Sequence, residues 1–273
     1  SKGGDKLMDI DSIKKEFPIF DNKVQNNDLV YLDSANSSQK PRVVIDRIYD
    51  FYSKEFSNVG RSVHYLAVAA TNLYENTRTS VQRYINAKDK NEIVFTKGAT
   101  EAINLVANTF GQKYLEEGDE VLLTELEHHS NYVPWHFLRN SKKIKIEFAE
   151  INEAGEITIE AIKNKITNKT KIISVTHLSN VTGAILPIKE IVELAHSKNI
   201  PVLVDGCQGA PHLKLDMQEL DCDFYAISGH KMYGPTGIGV LYAKKKWLDD
   251  LPPYQGGGGM INEVKKTGIS YGE

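Results

Sequence analysis

The fold turns on the stretch Glu92-Ile93-Val94-Phe95-Thr96-Lys97-Gly98-Ala99-Thr100-Glu101. A short apolar run with β-branched and aromatic residues enters a small-residue turn, and that turn opens a helical pattern expected to reach about Tyr114. The same succession recurs downstream. Glu120–Leu123 reads as a strand followed by a helix near Ser130–Asn140, and Lys143–Phe148 and Lys171–Val175 continue the series. Ile188–Ser197 is amphipathic and helical, Pro201–Val204 is a buried-type strand, and Asp223–Ile227 and Ile238–Ala243 follow. Strands alternating with helices predict an α/β protein, a three-layer sandwich whose mostly parallel central sheet is covered on both faces.

Upstream of this series the pattern is helical only. From Pro41 to Phe56 apolar residues fall at 44, 45, 48, 51, 52 and 56, and Pro41 stands where helices favour proline. A second helix is expected from about Asn72 to Asn86. Residues 1–16 read as an N-terminal tail, of which Ser1 to Lys6 are small, polar and without period, and 17–261 as one large domain. Gly256–Gly259 reads as a loop. Ile269 to Glu273 carry no pattern of a natural finish, so residues 262–273 are expected to lead into a further, smaller domain.

Composition removes several function classes. The 273 residues carry 33 Lys plus Arg against 36 Asp plus Glu, a net charge of −3, which gives no basic excess to draw the chain onto nucleic acid or an anionic membrane. No apolar run approaches the ~18 residues of a membrane-spanning helix, and the first residues lack the apolar stretch of a secretion signal. Cys207 and Cys222 are too few for a disulfide framework and fit a reducing compartment, the cytoplasm or an organelle matrix. The sequons at Asn36, Asn168 and Asn180 are chance matches in such a setting.

In a parallel α/β sheet ligands lie beyond the carboxyl ends of the strands, so the residues that follow each strand are the candidates for chemistry. After Glu92–Phe95 comes the turn with Ala99 and Thr100, whose free backbone N–H groups suit a phosphate and equally suit a plain helix N-cap. After Glu120–Leu123 come Glu127-His128-His129-Ser130-Asn131, and after Lys171–Val175 come Thr176-His177-Leu178-Ser179-Asn180. The paired histidines lack HExxH and a carboxylate at helical spacing, so a metal site is not expected. A strand-end histidine suits stacking on an aromatic ligand or acid–base work, and also a simple capping role. Pro201–Val204 delivers Asp205, a carboxylate whose place at the end of an apolar strand demands a cation or hydrogen-bonded partner, and Gln208 stands just beyond it. Asp223–Ile227 delivers Ser228-Gly229-His230-Lys231, where a partly desolvated amine becomes nucleophilic. Together a strand-end Asp, a strand-end Lys and a helix start with Thr100 match the needs of pyridoxal phosphate (PLP): a partner for the ring nitrogen, an amine for the aldehyde and donors for the phosphate.

The sequence resembles the class V, fold-type I PLP-dependent enzymes, and within them the group II (SufS-like) cysteine desulfurases. The motifs are Tyr31-Leu32-Asp33-Ser34-Ala35, Thr100-Glu101-Ala102-Ile103-Asn104, Glu127 to Trp135, His177 to Gly183, Asp205-Gly206-Cys207-Gln208 and, most specific, Ser228 to Gly237. The resemblance implies that Lys231 forms the Schiff base, Asp205 pairs with the ring nitrogen, Gln208 lies beside the ring oxygen and His128 stacks on the ring as acid–base. It implies phosphate contacts from Thr100, with the adjoining Ala99, and from Ser228 and His230, and a place for Asn180 near the substrate carboxylate. It further implies L-cysteine as substrate, alanine as product, an enzyme persulfide passed to an acceptor of iron–sulfur cluster assembly, and a homodimer. Selenocysteine lyases and kynureninase-like hydrolases share the Asp205 and Lys231 chemistry, and a catalytically inactive scaffold in sulfur transfer is the non-enzyme alternative.

This sequence departs from the family at several points. The family's persulfide cysteine, its carboxylate-binding arginine and a phosphate contact from the dimer partner fall beyond Glu273, so a truncated and poorly active chain is expected. Cys207 stands where the family commonly has a small residue, and Cys222 reads as core, so neither is expected to carry sulfur. Asn58-Val59-Gly60-Arg61-Ser62-Val63-His64 loses a family histidine and glycine, and Asn36 replaces a small apolar residue.

Overall fold

The structure, a computed structural model, describes residues 9–272, so Ser1 to Lys6 lie outside the described residues. A central sheet is built from β1 (Ile93–Thr96), β2 (Glu120–Thr124), β3 (Lys145–Ala149), β4 (Thr170–Thr176), β5 (Val202–Asp205), β6 (Phe224–Ser228) and β7 (Gly239–Ala243). Their order in space is β1-β7-β6-β5-β4-β2-β3. Only β7 runs against its neighbours, pairing antiparallel with both β1 and β6, while the remaining pairs are parallel. The principal helices are α1 (Arg42–Asp50), α2 (Tyr65–Tyr84), α3 (Ala99–Tyr114), α4 (Val133–Lys142), α5 (Ile159–Lys165) and α6 (Ile188–His196).

The period of two along each strand divides the core into two layers. Leu122, Val202, Val204, Tyr225 and Tyr242 pack on one face with Ile188, Ile191, Val192 and Ala195 of α6. Val121, Leu123, Leu203, Phe224 and Leu241 pack on the other with Ile103, Val106 and Phe110 of α3 and Trp135 and Leu138 of α4. Burial on both faces explains why β2, β5, β6 and β7 read as largely apolar runs, whereas the edge strand β3 alternates Lys145, Ile146, Glu147 and Phe148. Full burial of each large side chain contributes about 1.5–3 kcal/mol before chain entropy is charged.

The observed elements differ from the sequence expectations mainly at their ends. α1 begins after Pro41 and runs into a π-helical turn, Phe51–Glu55. α2 begins at Tyr65 rather than near Asn72, because the His64 ring accepts the Ala67 N–H at 3.3 Å and caps the first turn. Within the segment read as a tail, Ile10–Lys15 forms a short helix capped by Asp9. The stretch read as lacking a regular finish forms an antiparallel hairpin, Ile261–Lys265 with Gly268–Tyr271. Among the described residues no helix is long and apolar enough to cross a membrane.

Candidate active site

The carboxyl ends of the parallel strands and the first turn of α3 open onto one cavity of about 200 Å³, which all nine residues singled out from the sequence line. At the end of β5, Asp205 is only 3% exposed. Its Oδ1 accepts the Cys207 N–H at 3.0 Å, and no described cation lies within ion-pairing distance of it. Gly206 is dictated by Tyr225, since a Cβ at that position would sit 1.9 Å from the ring carbon Cε1. The Tyr225 ring cannot retreat easily, for its hydroxyl lies 2.8 Å from His177 Nδ1. Burial pulls the His177 pKa down to about 4 and pushes the Tyr225 hydroxyl far above its ordinary value, so this supporting pair is neutral. Gln208 Nε2 donates to the Ala35 carbonyl at 2.6 Å, which brings the 33–38 segment and Asn36 over the cavity.

At the end of β6, Ser228 leads into a 3-10 turn, Gly229–Lys231, and the chain then returns as the antiparallel β7. The Lys231 ammonium is half-buried and makes no hydrogen bond or ion pair with a described residue. Ser228 Oγ accepts weakly from the Ala99 N–H at 3.5 Å. Close backbone approach makes this junction possible, because a Cβ on Gly239 would lie 2.5 Å from Gly98 Cα. Ala99 and Thr100 of the first turn of α3 line the cavity, and a helix start of this kind is suited to an anion.

Thr100 Oγ1 is 3.1 Å from Ser130 Oγ, which is 3.0 Å from His128 Nδ1. That ring nitrogen also accepts the Ser130 N–H at 3.1 Å, so in the neutral ring the proton resides on Nε2. His230 and Asn180 complete the walls. Burial, then the Lys231 and Lys40 charges, hold the His230 ring below its ordinary pKa.

Behind the cavity lies Glu127, a residue whose role sequence reasoning missed. Its carboxyl group receives Thr124 Oγ1 at 2.7 Å, Asn131 Nδ2 at 2.7 Å and the Thr176 N–H at 3.0 Å. It therefore ties the ends of β2 and β4 to the turn that presents His128. Burial pushes its pKa up to about 8 against the pull of those three donors. The available signal was its position next to His128 after a buried strand. Neither cysteine offers a thiolate: burial and the Asp205 carboxylate push the Cys207 thiol well up, and burial does the same to Cys222.

A seven-stranded sheet of this order with its site at the strand ends is the fold of the type I PLP-dependent enzymes. Residues 30–273 match the family described as Aminotransferase class-V, and the chain belongs to that PLP-dependent family. It is 49% identical over 257 residues to a probable cysteine desulfurase of Halalkalibacterium halodurans, covering 94% of this chain and 63% of that protein. A probable cysteine desulfurase of Staphylococcus aureus is 48% identical over 266 residues, covering 97% and 64%. Among solved structures, a cysteine desulfurase of Escherichia coli in S-sulfonic acid form superposes with a TM-score of 0.86 at 39% identity, over 96% of this chain and 64% of the other. The apo cysteine desulfurase of Thermococcus onnurineus gives 0.89 at 35% identity, over 97% and 64%. The chain thus spans less than two thirds of the length of these relatives.

Proposed function

We propose that this chain is the cofactor-binding part of a PLP-dependent cysteine desulfurase, which converts L-cysteine to L-alanine and yields sulfur for an acceptor protein of iron–sulfur cluster assembly. The observation that carries the reading is Asp205, a buried carboxylate without a described cation, in the same cavity as the amine of Lys231. Such a carboxylate is costly to bury unless a ligand cation meets it, and a protonated pyridine ring supplies one. The anion-binding end of α3 and the Ser228 hydroxyl fit a phosphate in the same cavity. The donor set therefore fits PLP.

When bound, PLP supplies an electron sink that weakens bonds at the carbon bearing the substrate amino group. Asp205 would hold the ring nitrogen in its protonated form, and Gln208 would lie beside the ring oxygen. His128 would lie against the ring, with Nε2 free to move a proton because Nδ1 is fixed by Ser130. Lys231 would hold the aldehyde, and its amine, which has no bond to a described residue, is placed to accept and return a proton. Thr100, the Ala99 N–H, Ser228 and His230 would hold the phosphate, and Asn180 would meet the substrate carboxylate. Cys222 is buried in the core and Cys207 is half-buried at the cavity wall, with both thiols held protonated, which leaves them unsuited to receive sulfur, so that role falls to a cysteine or thiol outside this cavity. Homodimerisation and a reducing compartment, the cytoplasm or an organelle matrix, accompany this reading; both described cysteines are free thiols.

Borohydride reduction of the 273-residue chain loaded with PLP tests it. Covalent label is expected on Lys231 and lost in Lys231→Ala, whereas Asp205→Ala should weaken PLP retention roughly tenfold or more by removing a charge-assisted bond. Label that persists in Lys231→Ala overturns the assignment. Alanine released from L-cysteine, dependent on an added thiol, is the expected signature of the reaction.

A further inference from the structure

The turn that carries Lys231 is closed at its base by the loop's own bonds: Gly229 N–H to the Ile238 carbonyl at 2.9 Å, and Met232 and Gly234 N–H to the Gly229 carbonyl at 2.9 Å. The His230 carbonyl, which belongs to the peptide group joining His230 to Lys231, is held instead from a segment about 190 residues earlier. It accepts the Ser38 N–H at 3.0 Å, the Ser38 hydroxyl at 3.0 Å, the Lys40 ammonium at 2.8 Å and the Ser37 hydroxyl at 3.3 Å. Ser38 Oγ also accepts the Tyr233 N–H at 2.8 Å. One hydroxyl thus donates on one side of Lys231 and accepts on the other, which uses both of its functions. Tyr233 has φ +61°, a left-handed conformation that a bulky residue keeps only when its surroundings hold it.

Lys40 completes the arrangement. Its ammonium also donates to the Ser38 carbonyl at 2.7 Å and has no carboxylate partner among the described residues. Burial lowers its pKa. Ser38 is itself 5% exposed, so water does not readily replace it.

We propose that Ser38 and Lys40 are positioning residues for Lys231: they clamp the His230–Lys231 peptide group from the N-terminal segment and so fix the direction in which the Lys231 amine leaves the backbone. The proposal rests on the PLP reading of Lys231 given above. It states that a segment without catalytic groups of its own governs how readily the lysine reaches the aldehyde.

The test combines amide hydrogen exchange without cofactor and borohydride trapping of PLP on Lys231 in the same full chain. Ser38→Ala is expected to speed exchange at the Tyr233 amide about tenfold, the equivalent of one lost hydrogen bond of about 1.4 kcal/mol, with amides of β6 and β7 unchanged. Trapping on Lys231 should slow several-fold while non-covalent PLP retention stays the same. Lys40→Met should slow trapping likewise, with a smaller effect on the Tyr233 amide, whose acceptor is Ser38, and Ser38→Thr and Lys40→Arg should restore most of the trapping rate. Unchanged Tyr233 exchange, or faster exchange with an unchanged trapping rate, overturns the proposal while wild-type trapping stands. Absence of trapping in the wild-type chain sinks the PLP reading itself, and the positioning role with it.

Discussion

Helices α1 and α3 both carry apolar residues at helical spacing, α3 being the more apolar overall, and they meet opposite fates in the fold. α3 buries Ala102, Ile103, Val106 and Phe110 against the sheet, whereas α1 buries no residue and leaves Val43 and Tyr49 each 69% exposed. Periodicity decides that a segment is helical and which face is apolar, but a partner decides whether that face is buried. α3 follows β1 through a tight turn and is delivered onto the sheet. α1 stands before the strand series, where no strand delivers it.

That contrast can be strained at three points, the core first. Trp135 is fully buried, and Trp135→Ala is expected to cost about 3–5 kcal/mol in urea unfolding. A loss below about 1 kcal/mol would mean that the α4 layer is not packed as described.

The next effect depends on pH. Glu127 has its pKa pushed up to about 8 from an ordinary 4.5, so the folded chain keeps a proton that the unfolded chain releases between those values. Its contribution to stability is full below pH 4.5 and is lost as pH rises toward 8. His177 works in the opposite sense: with its pKa pulled from 6.5 to about 4, its contribution is full above pH 6.5 and is lost as pH falls toward 4. Of these two groups only Glu127 acts between pH 6.5 and 8. There Glu127→Gln should remove a fall of at most about 1.4 kcal/mol per pH unit. Identical slopes for wild type and variant over that window would argue against an enclosed carboxyl group.

The smallest effect belongs to the open face. Tyr49→Ala is expected to change stability by no more than about 0.5 kcal/mol, as for other exposed positions. A cost above about 1.5 kcal/mol in dilute solution would instead mean that something covers α1 there.

The seven strands of the sheet were legible because most are short apolar runs bounded by turn residues and β3 alternates charged with apolar residues, and α3 was legible to both ends. Their order was not, nor was the reversal of β7, since Ile238–Ala243 looks the same in either direction. α5 (Ile159–Lys165) escaped notice because it is short and buries only Ile162, too little to make a period. The hairpin near the end of the chain has exposed strands, so burial imposed no alternation on its sequence. In the site, Asp205, Gln208, Ser228 and Lys231 could be read locally, because the first two stand at or just past the end of β5 and the last two at or just past the end of β6. Ser38 and Lys40 could not, because their meaning lies in one carbonyl about 190 residues away.

The reversal of β7 also bears on how this chain can vary in length. Residues 229–238 join two strands that are paired register for register, from Ser228 opposite Gly239 to Phe224 opposite Ala243. An inserted residue would have to bulge from a loop already bonded to itself and to Ser38, or else slip the register and turn every side chain of β7 to the wrong layer. The turn at Asn152–Gly155 is exposed and closed by bonds of its own, and is free of that constraint. Insertions and deletions should therefore accumulate at such rims and spare the loop that carries Lys231, making its fixed length a mark of descent as durable as the lysine itself.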